Sequence, residues 1–276
     1  MNQELVSVIM PTYNAGKYLA DSINCTLRQT YRELELLITD DGSDSPETLD
    51  ILHRMEQVDT RVKVIYLKEN HGAGYARNEA IHRAQGRYIA FCDADDRWAE
   101  DKLERQIGFM HDKQCALCCS SYVICNSHYE PTGINIPPRR ITPAIMKRDN
   151  KIGCLTAIYD VAALGKKYYM PTLRKRQDWA MFIELTQAAG VAYAYTDKPL
   201  AYYCDRQGSV SSSKFSLIKY NMAIYRNILH YSLLKSLFYF IFLFLPTYGL
   251  KLMKRKIDWI QYKHHRNVKL QKDQTK

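Results

Sequence analysis

Residues 88–96 read Tyr88-Ile89-Ala90-Phe91-Cys92-Asp93-Ala94-Asp95-Asp96, an apolar run typical of a buried strand followed at once by three carboxylates. Ligands bind at the carboxyl ends of the strands in open α/β sheets. Closely spaced carboxylates repel one another unless a cation or hydrogen bonds compensate. The stretch therefore predicts a buried strand whose end carries an acidic site.

The rest of residues 1–112 repeats this alternation of apolar runs with amphipathic segments. Strands that are apolar throughout and separated by helices indicate a parallel sheet covered on both faces. We predict an α/β fold with a Rossmann-like, mostly parallel sheet flanked by helices. The predicted strands are 6–10, 34–39, 62–67 and 88–92, and the predicted helices are 17–29, 46–55, 75–84 and 101–112.

The pattern is looser between residues 113 and 205. We expect this region to complete the sheet and to build the acceptor side of a cleft. The predicted elements are a strand at 115–124, a Pro-rich loop at 131–143, a helix at 178–189 that Gly190 terminates, and short strands at 191–195 and 200–203. The predicted organisation is thus two halves of one domain (1–112 and 113–213) and a helical tail (214–276).

Basic charge is concentrated in the tail. The chain has 39 Lys and Arg against 29 Asp and Glu, a net charge of +10. Residues 206–276 hold 14 of the basic and 2 of the acidic residues, so 25 minus 27, or −2, remains for residues 1–205. Such segregation indicates an anionic partner for the tail, either a nucleic acid or an anionic membrane surface.

The apolar run 237–245 favours the membrane over the nucleic acid, because groove binding needs solvated charge. A spanning helix needs about 20 apolar residues, and this run is shorter and is interrupted by Pro246 and Gly249. We expect helices that associate with an anionic membrane surface, lying in its interface and held there by basic residues. The alternative is a helix packed on the catalytic body.

Eight cysteines are present, and the polar start of the chain lacks the features of a signal peptide. We interpret them as reduced thiols of a cytosolic protein. Cys115 and Cys118 form a single CxxC, which can be half of a zinc site. No second CxxC or paired His lies near it, so buried core cysteines are the preferred interpretation.

Two further loops are predicted to meet the acidic stretch at one crevice. Pro11-Thr12-Tyr13-Asn14 ends the first strand and Asp40-Asp41-Gly42-Ser43 ends the second. These two loops form an ordered set with two further stretches, Gly72-Ala73-Gly74-Tyr75-Ala76-Arg77-Asn78 and residues 93–96. The set closely resembles the family 2 glycosyltransferases. The resemblance covers about residues 5–112 and continues more thinly to about residue 213. It implies a nucleotide-sugar-binding half at 1–112 and an acceptor-binding half of the same domain at 113–213.

This resemblance implies a GT-A fold that binds a nucleotide-diphosphate sugar, expected to be a UDP-sugar, and transfers the sugar with inversion at its anomeric carbon. The implied acceptor is a saccharide or lipid-linked saccharide in envelope polysaccharide synthesis, at the cytoplasmic face of the membrane. Pro11, Tyr13 and Asp41 are expected at the base and ribose. Asp93-Ala94-Asp95 is expected at the ribose and diphosphate, with Asp93 and Asp95 on a bound Mn²⁺ or Mg²⁺, since carboxylates suit hard cations.

Three residues near this site have two interpretations each. The resemblance places Arg77 beside the nucleotide, where it either contacts the diphosphate or pairs with an Asp of the cluster. Asp96 either contacts metal-bound water or, as we prefer, caps the next helix. Arg206 lies in a segment, 202–211, that resembles one following the base in this family. It can offset diphosphate charge before a loop that closes over the donor, or it can begin a solvated linker.

Asp178 is the predicted general base. An inverting transfer requires a group that takes the proton of the attacking hydroxyl, and Asp178 in Arg176-Gln177-Asp178-Trp179 matches the family's acidic position before Trp. Gln177 replaces an acid that many relatives carry there, which leaves Asp178 as the one acid of this motif. The alternative role is a helix N-cap.

Two other functions compete with sugar transfer. A nucleotidyltransferase uses a similar sheet and acidic metal site, but the first strand-to-helix loop offers only Lys17 to a triphosphate. A non-enzymatic nucleic-acid-binding protein would act through the basic tail, although no nucleic acid is expected as a partner.

Overall fold

In a computed structural model of the chain, residues 4–206 and 214–274 are described, except for the side chains of 214–217 and 265–274. Twelve strands form two sheets within these residues. In chain order they are β1 (Val6–Thr12), β2 (Leu34–Asp40), β3 (Val62–Tyr66), β4 (Tyr88–Phe91), β5 (Arg97–Trp98), β6 (Leu117–Ser120), β7 (Tyr122–Cys125), β8 (Pro131–Asn135), β9 (Arg140–Ile141), β10 (Ile158–Asp160), β11 (Ala192–Tyr195) and β12 (Ala201–Cys204).

The larger sheet has the order β3-β2-β1-β4-β10-β6-β11-β9. Strands β3, β2, β1 and β4 are parallel, as predicted for residues 1–112, whereas β10 runs antiparallel to both β4 and β6. The sheet is therefore mixed and mostly parallel. It continues across the predicted boundary at residue 112, and the division of the domain into two functional halves stays a prediction.

Two predictions for residues 113–143 were wrong. The single strand expected at 115–124 is two strands in different sheets, because the chain leaves the large sheet after Ser120 and enters a second sheet, ordered β5-β12-β7-β8. The expected Pro-rich loop contains β8 and β9. Pro131 is the first residue of β8, a position where a strand tolerates the missing N–H.

Seven α-helices and a short 3₁₀ helix (Cys154–Thr156) lie between the strands of residues 4–206. The α-helices are α1 (Lys17–Leu27), α2 (Pro46–Val58), α3 (Ala73–Arg83), α4 (Lys102–Lys113), α5 (Pro143–Met146), α6 (Val161–Leu164) and α7 (Gln177–Ala189). The cap of α2 is the expected kind, with the Ser45 side chain accepting from Thr48 N and Pro46 as the first helical residue. As predicted, α7 ends at Gly190, whose φ of 72° favours glycine.

Alternate strand residues face two apolar cores. Ile9, Leu37, Ile89 and their neighbours pack against α3 and α7, whereas Val8, Leu36 and theirs pack against α1 and α4. Successive side chains of a strand point to opposite faces, so strands that are apolar throughout require cover on both sides. The sequence prediction of a sheet flanked by helices is confirmed on this point.

The tail is helical but is divided differently from the prediction. Helix α8 (Lys214–Ala223) continues as a π-helical segment, Ile224–Ile228, and ends there. Helix α9 (Leu233–Phe238), a second π-helical segment (Tyr239–Phe244) and α10 (Leu245–Gln274) follow one another directly. Pro246 does not interrupt the helix, because it lies at the start of α10, where π-type bonding has already changed the ladder.

This continuous helix, which we call the tail helix, packs on the domain along one side only. Phe244 is buried in the main core with Tyr225, whereas Leu234, Phe238, Phe242 and Met253 are exposed. Over Leu233–His264 the tail helix is long and apolar enough to cross a membrane, judged by length and composition alone. The packed-helix alternative therefore describes its inner side, and the outer side is apolar and uncovered.

Candidate active site

The loops after β1 and β2 are joined by Asn14. Its Oδ1 accepts hydrogen bonds from the backbone N–H groups of Asp44 (3.1 Å) and Ser45 (3.0 Å), and its Nδ2 donates to Asp44 Oδ1 (2.7 Å). The backbone of Asn14 is left-handed (φ 47°), a conformation that Asn tolerates. The predicted convergence of these two loops is therefore present. Beside Asn14, Pro11 is buried in β1 and the ring of Tyr13 is 49% exposed.

Asp41 connects the second strand to the glycine loop before α3. Its two carboxylate oxygens accept from the backbone N–H groups of His71 (2.9 Å) and Gly72 (2.7 Å), and its own N–H donates to the Thr12 carbonyl (2.9 Å). Each oxygen keeps a further lone pair. The predicted contact of Asp41 with a base stays a prediction, while its anchoring of the glycine loop was not foreseen.

The glycine loop also allows close approach of α7. A Cβ on Gly74 would lie 3.0 Å from Cγ of Gln177, so a larger residue would displace that side chain. The close backbone approach that the sequence indicates for this loop is thus a contact with the first turn of α7. The turn that carries Asp178 therefore lies against the start of α3.

Two arginines pair with the acidic cluster at the end of β4. Arg77 Nη2 donates to Asp93 Oδ1 (2.5 Å), and Arg206 Nε lies 2.7 Å from Asp95 Oδ2. Ala94, between the two acids, is buried. Of the two roles considered for Arg77, pairing with the cluster is the one present. The residues that follow Arg206, 207–213, include the expected closing loop and lie outside the described residues.

Burial and charge set the ionisation of this cluster. Burial, followed by the nearby charge of Asp93, raises the pKa of Asp95, and Arg206 offsets only part of this. Burial also opposes the charge of Arg77, yet the surrounding acidic groups, Asp93 foremost, raise its pKa. Carboxylates in this condition gain from an added cation, because it relieves their repulsion.

Asp96 does not cap the next helix, and that prediction was wrong. Helix α4 begins after Asp101, and Asp96 Oδ1 instead accepts from the backbone N–H of Cys204 (3.0 Å). The side chain is 1% exposed, and its Oδ2 has no hydrogen-bond partner among the described residues. Burial, with the charges of Asp93 and Asp95, raises the pKa of Asp96 well above its ordinary value. Asp96 therefore ties the cluster to β12.

Asp178 lies in the first turn of α7, as predicted, and is not its N-cap. The N-cap is Arg176, whose φ of 67° turns the chain into the helix. Asp178 Oδ2 accepts from Asn150 Nδ2 (3.0 Å). Both Asp178 and Asp93 act electrostatically on Arg77 and on Cys154. The buried guanidinium of Arg77 thus lies within the field of both acidic groups.

Residues 7–169 match the family described as glycosyl transferase family 2. TuaG of Bacillus subtilis, named for teichuronic acid biosynthesis, is 39% identical over 86% of this chain and 93% of its own length. The chain belongs to glycosyl transferase family 2. A second relative of this glycosyltransferase is Escherichia coli WfgD, which is 34% identical over 79% of this chain and 84% of its own. WfgD is named UDP-Glc:alpha-D-GlcNAc-diphosphoundecaprenol beta-1,3-glucosyltransferase.

The fold of this family 2 glycosyltransferase is GT-A-like. S. aureus TarS 1–349 in complex with UDP-GlcNAc superposes with a TM-score of 0.66 at 25% identity. This match covers 83% of the present chain and 67% of the TarS chain. The match to TarS 1–349 solved with UDP covers 60% of the TarS chain. Membership in a glycosyltransferase family also decides against the nucleotidyltransferase considered from the sequence.

A divalent cation fits the acidic cluster if the substrate supplies part of its coordination. Within residues 4–206 and 214–264, no three His, Cys, Asp or Glu side chains are grouped as a complete metal site. Asp93 and Asp95 are two partly exposed carboxylates at one strand end. Mg²⁺ is commonly bound by one or two carboxylates together with substrate phosphates and water. The donor set therefore suits Mn²⁺ or Mg²⁺ bound with a diphosphate.

The cysteines behave as the preferred interpretation expects. Cys118, Cys119 and Cys125 are buried in β6 and β7, and all eight cysteines are free thiols. Burial raises the pKa of Cys118 to about 12, so its thiol stays protonated. These residues belong to the core of the glycosyltransferase.

Two residues near the site had no signal in the sequence. Asn150 bonds to Asp178 from a loop 28 residues earlier in the chain, and Tyr129 donates its hydroxyl to the backbone carbonyl of Asp95 (3.0 Å). Neither belongs to a motif with characteristic spacing. Only the pairing of β7 and β8, which brings residues 126–130 back toward the cluster, could have pointed to Tyr129.

Proposed function

We propose that this glycosyltransferase moves the sugar of a UDP-sugar, with inversion, to a lipid-linked saccharide in envelope polysaccharide synthesis. The observation that carries the proposal is the arrangement around Arg77, with the acidic cluster paired to it and Asp178 in its field. An inverting transfer needs a leaving-group site and a base that both act on the same bound sugar. The names of WfgD and of the TarS complex support the UDP-sugar, and WfgD supports the diphosphate-lipid acceptor.

The donor's nucleotide is assigned to the strand ends of β1 and β2. The exposed ring of Tyr13 can stack on the base, and the remaining lone pairs of Asp41 can accept a base N–H. Pro11 shapes the floor beneath them. Asp41 already holds the glycine loop through two backbone N–H groups, so this part of the site is fixed before the donor arrives.

The diphosphate is assigned to the acidic cluster and its two arginines. Asp93 and Asp95 would hold Mn²⁺ or Mg²⁺, which supplies charge compensation to the diphosphate as it leaves. Ala94, small and buried, permits close approach of the ribose between the two acids. Arg206, which pairs with Asp95 across the edge of the site, can turn to a phosphate oxygen, where its fork fits well.

The proton of the acceptor hydroxyl is assigned to Asp178. As the hydroxyl oxygen bonds to the anomeric carbon, the bond from that carbon to the diphosphate oxygen breaks and the proton passes to the Asp178 carboxylate. Asn150 Nδ2 donates a hydrogen bond to Oδ2 of Asp178, so Oδ1 of Asp178 is left to accept the proton. A positioned base contributes about 10²- to 10⁴-fold to such a step.

The test combines a donor panel with a variant of the base. UDP release is measured with Mn²⁺ and again after chelation with EDTA. The donors compared are UDP-glucose, UDP-galactose, UDP-N-acetyl sugars and a UDP-uronic acid. Asp178→Asn should lower transfer about 10²- to 10⁴-fold with an unchanged donor dissociation constant. The exposed Asp197→Asn is the matched control. Transfer at the wild-type rate in Asp178→Asn would refute Asp178 as the base. Pyrophosphate release from a nucleoside triphosphate and a sugar phosphate would refute sugar transfer as the reaction.

We also propose that the enzyme is cytoplasmic and bound peripherally to the inner face of the membrane by the tail helix. Lys251 bonds to the carbonyl of Asn150 and Arg255 to Asn135 at the end of β8, so this part of the helix cannot enter the hydrocarbon while it is docked. The exposed apolar side chains can lie in the interface, where the net positive charge of the tail favours anionic headgroups.

Vesicle binding tests the membrane assignment. The full chain should sediment with anionic vesicles and less with neutral ones. The double variant Leu234→Ser, Phe242→Ser should lose binding because both side chains are largely exposed and apolar. Val58→Ser, an equally exposed change on α2, is the control. RNA binding by the wild type without vesicle binding would contradict the proposal.

A further inference from the structure

Asn150 connects the proposed base to the tail helix. Its Nδ2 donates to Asp178 Oδ2 (3.0 Å), its Oδ1 accepts from the backbone N–H of Ile152 (3.1 Å), and its carbonyl accepts from Lys251 Nζ (3.0 Å). Lys251 belongs to α10, 101 residues farther along the chain. One residue therefore has the base on one side and the tail helix on the other.

The attachment of Lys251 is built on a buried carboxylate. Asp149 is 1% exposed, and its Oδ2 lies 2.8 Å from Lys151 Nζ and 3.2 Å from Lys251 Nζ. Burial opposes the charge on Asp149, but the two lysines outweigh it and lower its pKa, so the carboxylate stays ionised. Lys251 is thus bound at two points, the Asp149 side chain and the Asn150 carbonyl.

One turn farther along α10, Arg255 makes a second attachment. Its Nε donates to Asn135 Oδ1 (3.1 Å) and its Nη2 to the Tyr122 hydroxyl (3.4 Å). Residues four apart lie on the same face of a helix. Lys251 and Arg255 together therefore fix the rotation of the tail helix against the domain.

The tail also packs against the residue that follows the base. Trp179 is fully buried, and its ring contacts Tyr225 edge-on (6.0 Å between centroids) and Phe244 (6.3 Å). Its indole N–H donates to the Met146 carbonyl (2.7 Å). The first turn of α7 is therefore bounded by the tail at Trp179 as well as through Asn150.

We propose that Asn150 is a positioning residue for Asp178, and that the tail helix holds Asn150 in place through Lys251. The tail is then a component of the proton-accepting site in addition to its proposed membrane role. Docking of the tail orients the Asp178 carboxylate, because the hydrogen bond from Asn150 fixes Oδ2 and thereby restricts rotation of the whole carboxylate. The inference rests on the proposed function, in which Asp178 takes the proton of the acceptor.

Asn150→Asp tests the positioning role. This variant keeps the oxygen that accepts from Ile152 but replaces the donor to Asp178 with an acceptor. We expect kcat to fall about 10- to 100-fold, as for a misplaced catalytic group, with the donor KM and dissociation constant within about twofold of wild type. Asn150→Gln, which keeps the amide donor, should recover part of kcat. Asn24→Asp makes the same chemical change on α1 and serves as the control.

Lys251→Met tests the contribution of the tail helix. The full chain is assayed in one detergent without vesicles, so that membrane binding cannot affect the rate. We expect kcat to fall about 5- to 30-fold, the range for coupling through an intermediate residue, and Lys251→Arg to restore it partly. The exposed Lys256→Met removes the same charge from the same helix and should remain within about twofold of wild type. Thermal unfolding of every variant identifies any that is unfolded at the assay temperature.

The outcomes separate the inference from the proposed function. Wild-type kcat in Asn150→Asp, or an equal loss of kcat and donor binding, overturns the positioning role. Wild-type kcat in Lys251→Met with a loss in Asn150→Asp overturns the link to the tail. Wild-type transfer in Asp178→Asn would instead mean that the proposed base is wrong, whatever the other variants do.

Discussion

Backbone N–H groups hold the acidic side chains at the end of β2, which together with the end of β1 we call the donor edge. Asp41 is held by the N–H groups of His71 and Gly72, and Asp40 by the N–H and hydroxyl of Ser43. At the base edge, formed by Asn150, Asp178 and Trp179, the acidic side chain is held by the side chain of Asn150. Further contacts to Asn150 and Trp179 come from the tail, as far as 101 residues away. The donor edge is therefore organised by nearby loops, whereas the base edge is complete only when distant segments have packed.

Trp179→Ala should have the largest effect on this comparison. The indole is buried between the tail and Met146, so its loss should lower the free energy of unfolding by about 3–5 kcal/mol. Trp259→Ala, on the part of α10 where the ring contacts Tyr262 and Lys263 of the same helix, should cost about 0.5 kcal/mol. Urea unfolding of the full chain measures both. Equal losses would mean that the base edge does not depend on the tail.

Two buried lysines sharpen the same comparison. Lys251 has Asp149 as its partner, whereas Lys102 lies in the core with its Nζ over the Trp98 ring and without a hydrogen bond to any described residue. Burial lowers the pKa of Lys102 to about 7 from an ordinary value of 10.5. Between those two pH values the unfolded chain binds more protons, so this lysine makes stability rise as pH increases.

Lys102→Met should remove that dependence. We expect the free energy of unfolding to rise by about 1–4 kcal/mol at pH 6, because an apolar side chain of similar volume carries no charge to desolvate. The rise in stability between pH 7 and 10.5 should become smaller. Urea unfolding at a series of pH values measures this. Lys251→Met, which leaves Asp149 with one lysine fewer, should be destabilising in the same assay, and a gain there would contradict the contrast.

Gly42→Ala should have the smallest of these effects and should act on the donor edge. Gly42 has a φ of 75°, and a Cβ there would lie 2.8 Å from the backbone carbon of Glu69. Gly165 has a similar φ of 73° with open space around it. Gly42→Ala should cost about 1–3 kcal/mol more than Gly165→Ala, as for overpacking. It should also weaken donor binding, since Glu69 leads to the residues that hold Asp41. Equal donor affinity in the two variants would disprove this.

The sequence predicts the donor edge well because its determinants are local. Strands β1, β2 and β4 are buried along their whole length, and the loops after them carry motifs with fixed spacing. The same reasoning brought Asp178 to the first turn of α7. These features depend on residues that are close together in the chain, so their pattern can be recognised from the sequence alone.

Long-range contacts explain what the sequence did not predict. Asp96 looked like a helix cap, but its partner is the N–H of Cys204, 108 residues away. Asn150 acquires its role only from Asp178 and Lys251. Pro246 indicated a helix break, yet the preceding π-helical segment accommodates its missing N–H. Each outcome depends on which segments pack together, and no local pattern records that.

The burial of Phe244 against Trp179 has a consequence for biosynthesis. During translation Trp179 emerges 65 residues before the partner that covers it, which is roughly 3–13 seconds at ordinary elongation rates. Over that interval the apolar surface around Met146 and Trp179 lacks its final cover, while β1 to β4 can already pair. The nascent chain therefore exposes an apolar surface on a partly folded domain until its own tail packs there or a chaperone binds.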